Sequence, residues 1–488
     1  MRMKLGRYRN YCILLAAEVL ILGVYLLVSQ STYRIGFPLD DAWIHQTYAR
    51  NLAQLHQWAY LPGKISGGST SPFWTVILAI GYVLKLHPLV WAFFIGGAVL
   101  YLLAVTSESV FRKLCKDYQP KFPLIGLLML SEWHLCWSAL SGMETLLISL
   151  FVVMELYLLL QERPGIFLCG LLAGAAVWIR PDGLSILIPA ICLLIFKNDP
   201  LKIRARNILI ILAGFAAAFI PYLAFNQMIS GTIWPNTFYA KQAEYAELLQ
   251  TSIFTRLFSE TVLPLVGVGA VLLPGGIYSI LRSIKDKNWI LLGAFLWAGC
   301  YLFAYAWRLP VTYQHGRYVI PTIPVILLIC AWGFRQLHTW LRGGRSKRIL
   351  YRAWQMTIPI VAIVFLAQGA AAYASDVAII ESNMVDTAIW IQANTPVDSV
   401  IAVHDIGAVG YYSDRKLLDL AGLVNPEVIP FIRNEAGLKT YLNDQKVDYL
   451  VTLPDWYTDL QKEKEILFTA SDRFVKAYKQ QPMTVFKW

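Results

Sequence analysis

The stretch "YCILLAAEVLILGVYLLVSQSTYRIGFPLDDAWIHQTYARNL", residues 11–52, decides the fold. Its first half is an apolar run long enough to cross a bilayer, which takes roughly 20 residues. Two adjacent carboxylates, Asp40 and Asp41, follow directly. The preceding "MRMKLGRYRN" gives the charge order of a signal sequence. The apolar core is longer than that of a typical cleaved signal and no clear small-x-small site follows it, so a retained first span is expected.

Working outward, apolar runs recur to residue 373. Of the 488 residues, 57% are hydrophobic and only 15% charged, against about 25% charged in a soluble domain. The mean hydropathy is +0.51. The expected fold is a polytopic α-helical membrane protein, so the net charge of +11 reads as topology before it reads as nucleic-acid binding. The seven cysteines fall in apolar segments or one short basic loop, with no C-x-x-C pair and none in the last 150 residues. That pattern indicates neither a disulfide framework nor a zinc site.

About eleven spans are expected, near 11–29, 88–110, 123–140, 142–160, 165–180, 183–197, 207–226, 261–281, 289–307, 318–334 and 354–373. "SPFWTVILAIGYVLKLH" (71–87) reads as a short re-entrant or interfacial helix, because counting it as a span would move the basic loop 111–121 to the far side. With that choice, the N-terminus and the loops on its side hold 22 Lys and Arg against 8 in the opposite loops. The expected N-terminus is therefore cytoplasmic, and the Asp40–Asp41 loop and everything after residue 373 face outward.

From residue 374 the chain becomes charged, with short apolar runs "SVIAVHD", "KLLDLAG" and "VDYLVTL" separated by helical patterns such as "NMVDTAIWIQANT". Strands alternating with helices indicate a small α/β domain over 374–488, after a membrane module over 1–373 whose first outer loop is 30–87. No internal repeat is evident, which weighs against the many secondary transporters built from repeated halves.

Candidate functional residues collect at the expected outer face. Asp40 and Asp41 suit an ordinary N-terminal cap of the helix "AWIHQTYARNLAQL". They equally suit a general base beside the membrane, or ligands of a divalent cation, Mg or Mn. His45 lies one turn beyond Asp41. "YLPGKISGGSTSPFW" (60–74) combines permissive glycines with Lys64, Ser69 and Thr70; it reads as a turn-rich loop or as a pocket for a lipid-borne anion. Glu144 in "SGMETLL" stands at a span boundary, where a charge also reaches water at little penalty. In "WIRPDGL", Arg180 and Asp182 form either a local ion pair or, through the planar Arg fork, a phosphate site. "GTIWPNTFYAK" offers Trp234, Asn236, Tyr239 and Lys241; "RLPVTYQHGRY" offers Arg308, Tyr313, His315, Arg317 and Tyr318. Aromatic belts account for many such rings, while Lys241, Arg308 and Arg317 give the outer face a local anion site. In "AVHDIGAVGYYSDRKLLDLAGLVNPE" a strand ends at His404–Asp405, and the following GxxG is too weak to mark a nucleotide site.

The order of these motifs, the DD pair, "SGGSTSPFWT", "SGMETLL", "IRPDGL", "WPNTFYAK", "GRYVIPTIP" and the C-terminal "HDIGAVGYYSDRKLLDLAGLVNPE", resembles bacterial GT-C-fold polytopic glycosyltransferases. It is most similar to the branch with the terminal arabinofuranosyltransferases of mycobacterial cell walls. The resemblance spans residues 36–427. It implies transfer of a sugar from a polyprenyl-phosphate donor to a hydroxyl of a cell-envelope glycan, lipid or protein at the outer face of the cytoplasmic membrane. It also implies that Asp40 and Asp41 are the acidic motif of the first outer loop, as base or metal ligand. The chain is shorter than the mycobacterial enzymes, with a smaller tail, so the donor sugar does not carry over.

Glycosyl transfer needs a base near the acceptor oxygen and cations near the departing phosphate. Arg180, Lys241, Arg308 and Arg317 are the candidates for holding the donor phosphate. His45, Lys64, Ser69, Thr70, Glu144, Asp182, Trp234, Asn236, Tyr239, His315, His404 and Asp405 are the candidates for binding the rest of the substrates. The competing readings are a transporter or flippase of lipid-linked glycans, for which paired charges deep within spans are expected, and a non-catalytic glycan-binding protein.

Overall fold

The structure is a computed structural model of the full chain. It describes residues 2–117, 120–341 and 344–488. Parts of the basic loops 111–121 and 335–352 lie outside them.

Among the described residues, six helical stretches are long and apolar enough to cross a membrane: Tyr8–Thr32, Pro88–Leu114, Leu201–Ser230, Trp289–Arg308, Gln314–His338 and Arg345–Asn394. The pair Ile253–Leu265 and Val268–Asp286 is apolar enough only when taken together and is bent by 107°, the shape of a broken span or a re-entrant loop. The expected segment 123–140 is two seven-residue helices, Leu124–Leu130 and Trp133–Ala139. The expected spans at 142–160, 165–180 and 183–197 are the shorter apolar helices Thr145–Leu159, Ile166–Val177 and Pro181–Phe196. Their limits follow from local chemistry. Gly142 has a left-handed backbone, and Pro181 follows Arg180, whose backbone is extended.

The segment 30–87 carries its own structure. The helix Asp41–Leu55 is followed by a hairpin of β1 (Ala59–Leu61) and β2 (Lys64–Ile65). A short apolar helix, Pro72–Val83, comes next; Ser71 caps it and Pro72 occupies its first turn. At 12 residues it is about 18 Å long, too short to span alone. Trp74 donates its indole N–H to the Gly142 carbonyl at 2.8 Å, which fixes this helix against the "SGMETLL" turn.

The tail contains the expected strands and two more. In β3 (Val400–Val403), β4 (Lys416–Asp419), β5 (Tyr449–Thr452), β6 (Ile466–Thr469) and β7 (Thr484–Lys487) the sheet order is β4-β3-β5-β7-β6. The first three strands pair in parallel, and β7 runs antiparallel to both β5 and β6. A nearly continuous helix leads from the apolar segments to the sheet. The helix Arg345–Ile380 continues through a π turn, Glu381–Val385, into Asp386–Asn394. Arg34, just past the first span, grips that turn through Glu381 at 2.5 Å and Asp386 at 2.8 Å.

The segment 30–87 docks on this domain. Tyr60 donates its hydroxyl to the Ile406 carbonyl, and Arg50 reaches the Tyr411 carbonyl at 2.9 Å. Asp40 accepts the backbone N–H of Gly407 at 2.7 Å and of Ala408 at 2.8 Å. The two glycines of the GxxG are therefore packing positions. A Cβ on Gly407 would lie 2.0 Å from the Asp40 carbonyl oxygen, and one on Gly410 would lie inside contact distance of the Tyr60 hydroxyl. Gly407→Ala is expected to lower stability by about 1–3 kcal/mol and to open the tail to limited proteolysis at a lower temperature than wild type.

Candidate active site

The two adjacent aspartates take different roles. Asp40 makes no side-chain capping bond to its own helix, which removes the local cap that was one of the two readings of the pair. It caps the distant helix Ile406–Tyr412 instead, meeting its free N–H groups with both carboxylate oxygens. Burial, and then the Asp405 carboxylate nearby, push Asp40 up to about 8. Asp41 turns the other way. Its Oδ2 accepts from Arg317 at 2.6 Å and lies 3.7 Å from the Lys241 ammonium. Burial alone would raise its pKa, but these two cations outweigh burial and hold Asp41 well below the usual carboxylate range.

Arg317 and Lys241 border a cavity of about 410 Å³. Nine residues singled out in the sequence line it or its mouth: Thr70, Glu144, Arg180, Asp182, Trp234, Lys241, Arg308, Arg317 and Tyr318. They come from chain segments more than 200 residues apart. The remaining wall is mostly apolar, with Met143, Leu184, Phe238, Ala304 and Leu309.

The four cations are not equivalent. Arg180 is committed: it bonds Asp182 at 3.2 Å and the Tyr305 hydroxyl. Asp182 in turn accepts from the Tyr301 hydroxyl, and from that of Tyr305 at 2.6 Å. Arg317 is buried, yet only its Nη2 is used, toward Asp41 and the Tyr318 hydroxyl at 3.1 Å. Its Nε and Nη1 are buried without a partner. Lys241 also donates to Tyr318, at 3.1 Å. Arg308, exposed at the mouth, lies 5.4 Å above the Phe238 ring.

His45 and Ser69 sit behind the cavity rather than in its lining. His45 Nδ1 pairs with Thr75 at 3.1 Å and Ser69 at 3.3 Å, and its Nε2 is 3.7 Å from Glu144. Burial lowers the His45 pKa against the pull of Glu144 and Asp41, so this ring is neutral at pH 7. Asn236 is buried on the Lys241 helix; Tyr239, on the same helix, points outward, 37% exposed. His404 and Asp405 face Glu244, three residues beyond Lys241, across the boundary with the tail, His404 at 3.7 Å from Glu244. Two expected substrate contacts lie elsewhere. Lys64 is on the β1–β2 hairpin, half exposed and 3.8 Å from Glu427. His315 bonds Asp376 at 2.7 Å.

The sequence reading passed over Tyr301, Tyr305 and Glu244. The tyrosines look like belt aromatics. Their spacing of four residues, facing an Arg-Pro-Asp turn, was the signal that they bond it.

The aspartate pair does not fit a divalent ion. Both Asp40 oxygens take backbone N–H groups, and Asp41 already meets two cations. Among the described residues, no group of three or more His, Cys, Asp or Glu side chains is arranged to hold one.

With this geometry in hand, comparison with solved structures defines the class. Over 96% of its length the chain superimposes on ArnT from Cupriavidus metallidurans bound to undecaprenyl phosphate, covering 97% of that chain at a TM-score of 0.59 and 13% identity. The apo state of ArnT gives the same TM-score at 14% identity. The oligosaccharyltransferase of Archaeoglobus fulgidus, tethered with an acceptor peptide, matches at a TM-score of 0.55 and 13% identity, over 90% of this chain and 69% of that one. The protein is thus a polytopic helical membrane protein of the GT-C fold with a small C-terminal α/β domain. Residues 373–486 match a family described as a domain of unknown function (DUF8728). No curated protein matches the chain in sequence.

Because Asp40 has its pKa raised on folding, the native state binds the more protons between pH 4 and 8, and stability falls as pH rises through that window. Asp40→Asn is expected to flatten this slope in thermal unfolding followed from pH 4 to 8. Asp40→Ala, which strands both N–H groups, is expected to lose a further ~1–2 kcal/mol.

Proposed function

We propose that the protein is a glycosyltransferase that moves a sugar from a polyprenyl-phosphate donor to an acceptor hydroxyl of a cell-envelope glycan, lipid or protein at the outer face of the cytoplasmic membrane. In this reading the N-terminus is cytoplasmic. Residues 1–373 form the transmembrane module, with 30–87 as its catalytic loop, and 374–488 form an extracytoplasmic domain. The arabinofuranosyltransferases remain the branch whose motif order is most similar. The observation that carries the reading is Asp41 bonded to Arg317 at the edge of a largely apolar cavity that also holds Arg180, Lys241 and Arg308. The fold shared with ArnT, crystallised with undecaprenyl phosphate, supports a lipid-phosphate donor.

The prenyl chain lies along the apolar wall and the phosphate meets Arg317, Lys241 and Arg308. The acceptor oxygen attacks the anomeric carbon. The bond from that carbon to the phosphate oxygen breaks, its electron pair leaves with the phosphate, and Asp41 takes the acceptor proton. A carboxylate held as low as Asp41 is a poor base on its own. The donor corrects this, because its phosphate competes for the cations that depress Asp41. The two unpartnered Arg317 nitrogens give the phosphate a place to bind. Asp41 thus becomes basic only when donor is present.

The test is sugar release or transfer from a panel of polyprenyl-phosphate sugars by the purified protein in lipid. One donor is expected to be consumed. Asp41→Asn is expected to reduce turnover by about 10²-fold or more, while EDTA leaves it unchanged. Arg317→Lys, which loses the planar fork, is expected to raise the donor KM. Silence of the folded protein on every donor would favour a transporter instead, and equal rates for wild type and Asp41→Asn would remove Asp41 as the base.

A further inference from the structure

The segment that delivers Arg317 and Tyr318 to the cavity is strained. Gln314, His315 and Gly316 have φ of 54°, 58° and 65°, three consecutive left-handed residues, two of which carry side chains. L-residues disfavour that conformation one at a time and very rarely adopt it in succession. Gly316 is fixed as glycine twice over, since a Cβ there would also approach Leu263 to 2.7 Å. The sharp turn matters because Arg317 follows it immediately and must reach Asp41 across the outer loop.

Something outside the turn has to hold it, and His315 is the residue that leaves it. Its Nε2 meets Asp376 Oδ2 at 2.7 Å, and the same oxygen accepts the Trp137 indole N–H at 2.9 Å. The imidazole stands edge-on to Trp133 and Trp137, with ring centroids 5.2 and 5.3 Å away. The contacts come from the helix Trp133–Ala139 and from the long helix Arg345–Ile380. His315 is absent from the cavity wall, where sequence reasoning expected it.

We propose that His315 is a positioning residue: its bond to Asp376 holds the left-handed turn 314–316 and so sets the Arg317 guanidinium on Asp41. This deepens the glycosyltransferase reading, in which Arg317 carries the donor phosphate, and its first test does not depend on that reading.

The test measures the rate at which phenylglyoxal labels Arg317 in the full-length protein in lipid, read by peptide mass spectrometry. In the wild type Arg317 is sheltered. His315→Ala keeps a strained residue and loses the anchor, so labelling is expected to quicken by about tenfold as the turn relaxes. His315→Gly loses the anchor and the strain together, and its rate is expected within about threefold of wild type. A plain packing role predicts the reverse order, since glycine removes more side chain than alanine. Asp376→Asn preserves shape and packing and is expected to fall between wild type and His315→Ala. Unchanged labelling in both His315→Ala and Asp376→Asn overturns the proposal, as does faster labelling in His315→Gly than in His315→Ala. Where sugar transfer is measurable, donor KM is expected to follow the same order, by about tenfold for His315→Ala. If the wild type consumes no donor at all, the function fails while the labelling order still decides the positioning.

Discussion

Asp40 joins two parts of the chain that lie 367 residues apart through its bonds to the backbone N–H groups of Gly407 and Ala408. The helix Ile406–Tyr412 presents free donors at its N-terminus, as every helix does, and a carboxylate from the segment between the first two spans satisfies two of them. The bonded approach is close enough to require glycine at 407. Around it, Tyr60 and Arg50 add bonds to the carbonyls of Ile406 and Tyr411. Because Asp40 is held there, the next residue in the helix is directed to the opposite side. That orientation puts Asp41 on Arg317, which lines the cavity.

The cations of the cavity differ in how completely their donors are used. Arg180 is enclosed by Asp182 and a pair of tyrosines four residues apart, and it serves mainly to fix the "WIRPDGL" turn beside the helix Trp289–Arg308. Arg317 uses one nitrogen and leaves two buried donors open. Buried unpaired donors are unfavourable, and an anionic group entering from the apolar side would relieve them. Charge is thus stored in one unsatisfied guanidinium and restrained by Asp41.

The tail sits firmly on the membrane module. The helix from Arg345 reaches Asn394 with a single π turn, and the turn is where Arg34 from the end of the first span binds. A π turn widens the helix and exposes backbone at one level, and here that level coincides with an ion pair between the first and last spans. The same long helix supplies Asp376 to His315. One rigid element therefore touches the domain boundary and the turn that carries Arg317.

Sequence alone is enough for the membrane class and for the helix-and-strand character of the tail, including β3, β4 and β5. Apolar run length and alternation are local properties, and a span cannot bury a charge cheaply at its centre. The tertiary structure decided what each charge does. Asp40 and Asp41 are chemically identical neighbours, and only partners 367 and 276 residues away make one a cap and the other a site carboxylate. Arg180 and Arg317 look alike at the ends of apolar segments until Tyr305, Asp182 and Asp41 are placed beside them. His315 reads as a surface ligand until three successive left-handed residues and Asp376 show it pulling away from the cavity. Such roles depend on which side chains meet after folding, and hydrophobic periodicity carries no record of those pairings.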